Sequence, residues 1–210
     1  MNNSDPFWDK IAEKYANKPV SDEVTYQRKL TETQEFLNEG MRVLEFGCGT
    51  GTTAIHHAPH VAHIDAIDIS ENMLNIGRSK AEHAKISNIT FSRGTLHDFG
   101  ADSESLDAVL GLNVIHLLPN RREVIAEVAR ILKPGGLFIS TTGCLGSSVF
   151  RFIKFAVPLG KFLRLMPDVF VLTEAELTTE IQKTGFSIER QWHHGPQNIA
   201  VFIVARKIDS

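Results

Sequence analysis

The stretch Val-Leu-Glu-Phe-Gly-Cys-Gly-Thr-Gly at residues 43–51 joins a short apolar run to three glycines at alternate positions. An apolar run bounded by turn-forming residues is typical of a buried strand. Glycine adopts positive φ angles freely and lets a ligand approach the backbone closely. The stretch therefore predicts a first strand that ends in a glycine loop, with a helix beyond it. In an open α/β sheet such a loop lies at the carboxyl edge, where ligands bind.

Strand patterns and helix patterns alternate from this stretch onward. Apolar runs that predict strands lie at residues 41–46, 62–69, 89–91, 106–112 and 137–142. Amphipathic helices are predicted between them, one capped by Ser70 and one beginning at a capping box of Asn120 and Glu123. Strands that alternate with helices form right-handed crossovers, so this region is predicted to be a mostly parallel sheet with helices on both faces.

The end of the chain has a different pattern. Thr173 and Glu176 predict a capping box at the start of a helix that ends at Gly185. Two strand-like runs follow at residues 186–192 and 199–205, and the short stretch between them cannot hold a parallel crossover. The two runs are therefore predicted to pair antiparallel, which leaves one strand reversed in the sheet.

The chain of 210 residues is predicted to form a single domain, 1–210, because domains commonly contain roughly 100–200 residues. Two helices are predicted ahead of the glycine loop, the first with Pro6 at its opening position. The predicted segments are an N-terminal helical cap at 1–40, a cofactor-binding core at 41–142, a substrate lid at 145–172, and a C-terminal helix and β-hairpin at 173–210.

The residues around the glycine loop discriminate between two nucleoside cofactors. Asp68 ends the predicted second strand, where a carboxylate can accept hydrogen bonds from two ribose hydroxyls. A dinucleotide loop reads Gly-x-Gly-x-x-Gly/Ala, but position 52 is Thr and the third glycine comes one residue earlier. Glu45 suits the cationic end of S-adenosylmethionine better than a pyrophosphate. S-adenosylmethionine is therefore favoured, and an NAD-dependent oxidoreductase is the less favoured alternative.

Residues 41–142 resemble the class I S-adenosylmethionine-dependent methyltransferases. Residues 43–51 resemble motif I of that family, and Asp-Ile-Ser-Glu-Asn-Met-Leu at 68–74 resembles its post-I segment. Residues 106–113 resemble its fourth strand, and Leu-Lys-Pro-Gly-Gly at 132–136 resembles the turn before its fifth. The resemblance implies an α/β, Rossmann-like fold with a seven-stranded, mostly parallel sheet whose last strand is antiparallel. It also implies S-adenosylmethionine as cofactor and S-adenosylhomocysteine as product.

The resemblance assigns a set of cofactor-binding residues. They are Tyr15, Glu45, Gly47, Cys48, Gly49, Asp68, Ile69, Met73, Thr95, Leu96 and Asn113. Many relatives carry Gly-Asp after the third strand, with the Asp on the adenine amino group, but here Gly94 is followed by Thr95. Either Thr95 and the Leu96 backbone contact the adenine, or Asp98 does. The first alternative is preferred.

The net charge and the sequence after the fourth strand limit the kinds of methyl acceptor that are expected. A net charge of −3 at pH 7 gives no basic footprint for a polyanion, so no nucleic-acid partner is expected. The Asn-Pro-Pro-Tyr sequence of amino-methylating DNA enzymes is absent after the fourth strand, where residues 111–116 read Gly-Leu-Asn-Val-Ile-His. A small-molecule or lipid-like acceptor is therefore predicted. A non-catalytic S-adenosylmethionine-binding protein is the alternative.

The predicted lid, 145–172, is rich in phenylalanine and basic residues, with no acidic residue before Asp168. It lies where relatives of this fold place substrate lids, so it is predicted to cover an apolar or anionic acceptor and to allow peripheral membrane contact. A packed helix pair with basic side chains at the surface is the alternative. No stretch reaches the ~18 uncharged apolar residues of a membrane span. Two cysteines and no leader pattern favour a cytoplasmic protein.

A general base is needed only when the acceptor must lose a proton during methyl transfer. No catalytic residue is assigned from the sequence. The first candidate base is His116, which follows Asn113 by three residues, and the second is Tyr26 in the N-terminal helices.

Four histidines lie close together in the sequence at positions 56, 57, 60 and 63. Pro59 interrupts them, and no Cys, Asp or Glu completes a set of ligands. No metal site is predicted, and these histidines are expected to lie at the edge of a surface helix.

Overall fold

A computed structural model describes residues 6–147, 167–195 and 199–208 of the chain. Its strands are β1 (Arg42–Phe46), β2 (His63–Asp68), β3 (Ile89–Arg93), β4 (Leu106–Leu112), β5 (Leu132–Gly143), β6 (Phe186–His194) and β7 (Ala200–Lys207). All seven belong to one sheet, in the order β3-β2-β1-β4-β5-β7-β6.

The pairing of the strands is parallel from β3 through β5 and antiparallel at one end of the sheet. β1 pairs parallel with β2 and β4, β2 pairs parallel with β3, and β4 pairs parallel with β5. β7 runs antiparallel to both β5 and β6. The predicted seven-stranded, mostly parallel sheet with an antiparallel last strand is confirmed. The strand order reverses between β1 and β4, and a crevice at such a switch point is where open α/β sheets bind ligands.

Helices lie on both faces of this sheet, as predicted. They are α1 (Pro6–Ala16), α2 (Glu23–Gln34), α3 (Thr52–His57), α4 (Glu71–His83), α5 (Leu96–Phe99), α6 (Arg121–Ile131) and α7 (Glu174–Lys183). Neighbouring residues of a strand point to opposite faces. Leu44 of β1 accordingly belongs to the core that α6 and α7 cover, whereas Val43 belongs to the core that α3 and α4 cover.

The predicted helix caps are present at two positions and absent at a third. The Ser70 side chain accepts a hydrogen bond from the backbone at the start of α4, and Thr173 and Glu176 form a capping box at α7. Asn120 occupies the N-cap position of α6, but its side chain makes no capping hydrogen bond. The predicted capping box of Asn120 with Glu123 is therefore wrong.

Most of the predicted lid at 145–172 lies outside the described residues, which omit 148–166. The described flanks of that segment are joined to each other and to the turn after β4. The Gly146 amide donates to the Leu172 carbonyl at 2.9 Å, and the Phe170 amide donates to the His116 carbonyl at 2.8 Å. None of the helices in the described ranges has the length and apolar composition that a membrane span requires.

Candidate functional site

The glycine loop between β1 and α3 depends on positive φ angles at Gly47, Gly49 and Gly51, which are 65°, 54° and 68°. A Cβ atom at Gly47 would lie 2.6 Å from a Val114 methyl carbon, and one at Gly51 would lie 2.6 Å from the Phe91 ring. A Cβ at Gly49 would have no atom within 4 Å. Gly47 and Gly51 are therefore fixed by packing, whereas the Gly49 backbone borders open space that a ligand can enter.

Asp68, at the end of β2, fastens the glycine loop. Its Oδ2 accepts a hydrogen bond from the Gly49 amide at 2.9 Å, and its Oδ1 accepts one from the Ser70 amide at 2.9 Å. Burial raises the pKa of Asp68, while these backbone hydrogen bonds act in the opposite direction. Each carboxylate oxygen can accept a further hydrogen bond. Asp68 can therefore hold the loop and bind hydroxyl groups at the same time.

Glu45 of β1 is buried beneath the loop, with 3% of its surface exposed. Its Oε2 has no hydrogen-bond partner among the described residues. Burial, and secondly the negative charge of Asp68, raise the pKa of Glu45 to about 8. A buried acceptor without a partner destabilises a fold unless a donor is supplied. A cationic donor at this position would satisfy the oxygen and favour ionisation of the carboxyl group.

A cavity of about 280 Å³ opens beside the loop, at the carboxyl edge of the sheet. Most of the residues predicted to bind the cofactor line it: Tyr15, Gly47, Gly49, Asp68, Ile69, Met73, Thr95, Leu96 and Asn113. Glu45 and Cys48 are absent from its described wall and lie buried behind the loop. The fold thus brings residues from α1, β2, α4 and the ends of β3 and β4 to one cavity.

Cys48 lies within the core rather than on the cavity wall. Its side chain is 8% exposed, and burial raises the pKa of its thiol well above the usual value. Its amide donates to the Ile67 carbonyl at 3.0 Å, which ties the loop to β2. The predicted contact of Cys48 with a cofactor stays a prediction.

Thr95 and Asp98 form a capping box at the start of α5. The Thr95 hydroxyl donates to Asp98 Oδ2 at 2.6 Å and accepts from the Asp98 amide at 3.3 Å. Thr95 and Leu96 line the cavity, whereas Asp98 is not among the described lining residues. Adenine contact through Thr95 and the Leu96 backbone stays the preferred prediction.

Asn113 follows β4 in the left-handed backbone region, with φ at 59°. Asparagine tolerates this conformation better than most residues with a side chain. The Asn113 amide donates to the Thr141 carbonyl of β5 at 2.7 Å, which holds the turn against the sheet. The strained turn places Asn113 on the cavity wall.

The two candidate bases, His116 and Tyr26, are not among the described residues that line the cavity. His116 Nδ1 accepts a hydrogen bond from the Gly143 amide at 3.4 Å, and burial lowers the pKa of the ring. Burial raises the pKa of Tyr26, whose ring lies 6.1 Å from that of His56. Their roles as bases stay predictions, and neither side chain forms part of the described wall.

Sequence reasoning did not identify the apolar part of the cavity. This wall is formed by Trp8, Phe46, Leu112, Val114, Leu117, Leu118, Val124 and Pro167, together with the polar residues His97, Asn120 and Asp168. The signal available was the apolar run that continues past the end of β4 at residues 112–118. Such a run is equally typical of core, so it did not distinguish a cavity wall from packing.

The histidine-rich stretch differs from the prediction at His57, which is fully buried rather than at a surface edge. Neither ring nitrogen has a hydrogen-bond partner among the described residues, and burial lowers the pKa of His57 to about 3. The prediction was wrong because α3 packs between α2 and α4, so one side of this short helix is enclosed. Within the described ranges, no group of three or more His, Cys, Asp or Glu side chains could hold a metal ion.

Comparison with known proteins matches residues 43–136 to a family model described as a methyltransferase domain. The chain is 31% identical over 139 residues to the uncharacterized methyltransferase YcgJ of Bacillus subtilis, which covers 66% of this chain and 54% of YcgJ. It is 28% identical over 190 residues to a demethylmenaquinone methyltransferase of Listeria monocytogenes, which covers 80% of this chain and 78% of that protein. The chain thus spans about half the length of YcgJ and 78% of the length of the demethylmenaquinone methyltransferase.

A similar solved structure is phosphoethanolamine N-methyltransferase 2 of Haemonchus contortus, in complex with phosphomonomethylethanolamine and S-adenosylhomocysteine. The TM-score is 0.77 at 17% identity, over 100% of this chain and 61% of that chain. At this identity the similarity shows the fold alone. The matched methyltransferase domain and the sequence relatives support a class I S-adenosylmethionine-dependent methyltransferase, the family that the sequence motifs resemble.

Proposed function

We propose that this protein transfers a methyl group from S-adenosylmethionine to a small-molecule or lipid-like acceptor. The observation that carries the proposal is one cavity with two kinds of wall. Gly49, Asp68 and Asn113 form a polar part, and Leu117, Leu118 and other apolar side chains form the remainder. Binding sites commonly combine a largely apolar lining with a few placed polar groups, as this cavity does.

The polar part fits S-adenosylmethionine. Asp68 offers carboxylate oxygens to the ribose hydroxyls, and the open space at Gly49 admits a ligand close to the backbone. Glu45 has an unpartnered buried oxygen suited to the ammonium group, and Tyr15 lies on the cavity wall. When bound, the cofactor supplies an electrophilic methyl group on a sulfonium.

The chain's own contribution to methyl transfer is to hold the acceptor in line and to exclude water. Trp8 and Tyr15 place α1 at the cavity, and Tyr15 is 50% exposed, so this helix lies at the boundary with solvent. The apolar residues after β4 enclose the other side. An acceptor with an apolar body would displace water from this wall, whereas a highly charged one would lose hydration against these apolar side chains.

The demethylmenaquinone methyltransferase relative supports an acceptor of this apolar kind. Asn120 and Asp168 are polar residues on the same wall and offer hydrogen-bond groups to orient the acceptor. For an acceptor that must lose a proton, His116 is the first candidate base and Tyr26 the second. We further propose that 1–210 acts as a single domain.

Calorimetric titration with S-adenosylmethionine and S-adenosylhomocysteine tests the cofactor. Wild type and Asp65→Asn should bind both, because Asp65 lies on β2 but pairs with Arg42 away from the cavity. Asp68→Ala should lose on the order of hundredfold in affinity, since a charged hydrogen-bond acceptor contributes about 1.5–3 kcal/mol. No binding by wild type, or NADH binding in its place, would overturn the proposal and restore the oxidoreductase alternative.

Formation of S-adenosylhomocysteine with a panel of apolar acceptors, including demethylated quinols, tests the reaction. Turnover with one class of acceptor supports the proposal. Tight cofactor binding without turnover on any acceptor would instead support a non-catalytic S-adenosylmethionine-binding protein.

A further inference from the structure

Helix α1 is tied to the body of the domain by Asp9. Asp9 Oδ1 accepts hydrogen bonds from the Ser70 hydroxyl at 2.6 Å and from the Asn72 amide at 3.3 Å. The Asp9 carbonyl accepts from the Asn72 side chain at 3.1 Å. The carboxylate therefore lies at the first turn of α4, where a negative charge is favoured by the helix dipole.

Ser70 continues this connection toward the glycine loop. It is fully buried, and its hydroxyl also accepts from the Met73 amide at 3.2 Å. Its own amide donates to Asp68 Oδ1, and Asp68 Oδ2 accepts from the Gly49 amide. An unbroken series of hydrogen bonds thus runs from Asp9 through Ser70 and Asp68 to Gly49.

Asp9 holds α1 together with three partly buried apolar side chains, Phe7, Trp8 and Ile11. Ala12 is the one residue of α1 that is fully buried, and Tyr15 is 50% exposed. Burial of apolar surface contributes roughly 25 cal/mol per Å², so the partly buried side chains also help to hold α1. Hydrogen bonds to a charged group are the stronger kind. The contacts of Asp9 therefore add a directional polar anchor to the apolar packing of α1.

The position of α1 matters because it supplies part of the cavity. Trp8, next to Asp9, lines the cavity, and so does Tyr15 two turns further along the helix. Burial is the main cause that raises the pKa of Asp68, and the negative charge of Asp9 adds a smaller contribution. Asp9 therefore acts on a cavity wall and on the carboxylate proposed to bind ribose.

We propose that Asp9 is a positioning residue for cofactor binding, acting through Ser70 to hold α1 over the cavity and to align Asp68 with the glycine loop. Release of Asp9 would free α1 and speed the escape of a bound nucleoside. The proposal rests on the proposed function for the identity of the ligand, S-adenosylmethionine or S-adenosylhomocysteine.

The test compares Asp9→Ala, Asp9→Asn and the control Glu13→Gln, an exposed acid on the same helix. The dissociation rate of S-adenosylhomocysteine, followed by stopped flow, should rise about tenfold in Asp9→Ala. Asp9→Asn retains an oxygen that can accept from Ser70, so its rate should rise about two- to threefold. Glu13→Gln should match wild type.

A second readout needs no ligand. Trp8 and Trp192 are the two tryptophans of the chain, so Trp192→Phe leaves Trp8 as the sole indole. Acrylamide quenching of Trp8 should increase when Asp9→Ala is added, and less when Asp9→Asn is added. Unchanged quenching in Asp9→Ala would overturn the proposal about Asp9. This readout needs no ligand, so it is independent of the proposed function, which would be overturned if the wild-type protein bound no S-adenosylhomocysteine.

The connection through Ser70 is tested by a double-mutant cycle. In a Ser70→Ala background, Asp9→Ala should change the dissociation rate less than twofold, because its main partner is already removed. A full tenfold increase in that background would show that Asp9 acts independently of Ser70 and would overturn the proposed route.

Discussion

The carboxylate of Asp68 accepts a hydrogen bond from the amide of Gly49 at 2.9 Å, across 19 positions of the sequence. This bond joins the ends of β1 and β2 and shapes the glycine loop from the side of the cavity. The residue proposed to bind ribose is thus also the residue that holds the loop backbone, so changes at either position affect both the fold and the ligand.

Gly49→Ala should separate these two effects. Alanine at a positive φ costs about 1 kcal/mol of stability, and a Cβ at Gly49 would enter the open space of the cavity. The matched control is Gly135→Ala, where φ is 72° and a Cβ would also meet no atom within 4 Å, away from the cavity. Denaturant unfolding should show similar losses for both variants, and calorimetry should show weaker S-adenosylhomocysteine binding for Gly49→Ala alone. Equal affinities would contradict the assignment.

Glu45 should make the cofactor-free protein less stable as pH rises. Its pKa is about 8 in the folded protein and 4.5 in the usual unfolded environment, so the folded state holds the proton more tightly. The stabilisation is complete below pH 4.5 and is lost as pH rises through 8. The slope is about 1.4 kcal/mol per pH unit within this window. Urea unfolding at several pH values should show this slope for wild type and a flatter one for Glu45→Gln.

Ligand binding should couple to the same carboxyl group. A cationic ammonium favours ionised Glu45, so S-adenosylhomocysteine affinity should rise between pH 6 and 8, by at most about tenfold per pH unit. Titration in buffers of different ionisation enthalpy should reveal proton release on binding. Glu45→Gln should bind more weakly and show no such release, and release of protons from that variant would argue against Glu45 as their source.

His57 should make the protein sensitive to acid. The unfolded chain binds a proton near pH 6.5, whereas buried His57 does so only near pH 3. Stability is therefore intact above pH 6.5 and is lost as pH falls toward 3, with a slope of about 1.4 kcal/mol per unit. His57→Phe should reduce the slope in denaturant titrations, while His83→Gln, at an exposed position that does not contribute to the pKa of His57, should leave it unchanged. Identical slopes in all three proteins would refute the assignment.

Asn113 should have separable backbone and side-chain roles. Asn113→Ala should lose about 1 kcal/mol of stability because alanine disfavours positive φ. The same substitution removes the side-chain carboxamide of Asn113 from the cavity wall. Asn113→Gly should retain the stability of wild type to within a few tenths of a kcal/mol but lose the same side chain. Thermal unfolding should distinguish the two variants, whereas both should show the same reduced affinity for S-adenosylmethionine. If Asn113→Gly bound S-adenosylmethionine with wild-type affinity, the Asn113 side chain would not be part of the binding site.

The sequence by itself determined the features that depend on near neighbours along the chain. Apolar runs and helical periodicity predicted the order of strands and helices, because burial of one face dictates where apolar residues recur. The glycines of the loop and the caps at Ser70 and Thr173 were also predictable, since steric limits on φ and unpaired helix amides act within a few residues. The antiparallel last strand followed from the short connection before β7.

Only the tertiary structure decided which side chains are enclosed and which distant residues meet. His57 is buried because α3 lies between two other helices, and Asn120 lines the cavity instead of capping α6. Asp9 meets Ser70 across 61 positions of the sequence. Such contacts depend on how whole helices pack against the sheet. Neither the periodicity nor the local spacing of residues predicts which distant residues then come into contact. The strands and the glycine loop could therefore be predicted from local sequence patterns, whereas the apolar wall of the cavity and the anchoring of α1 depend on tertiary packing.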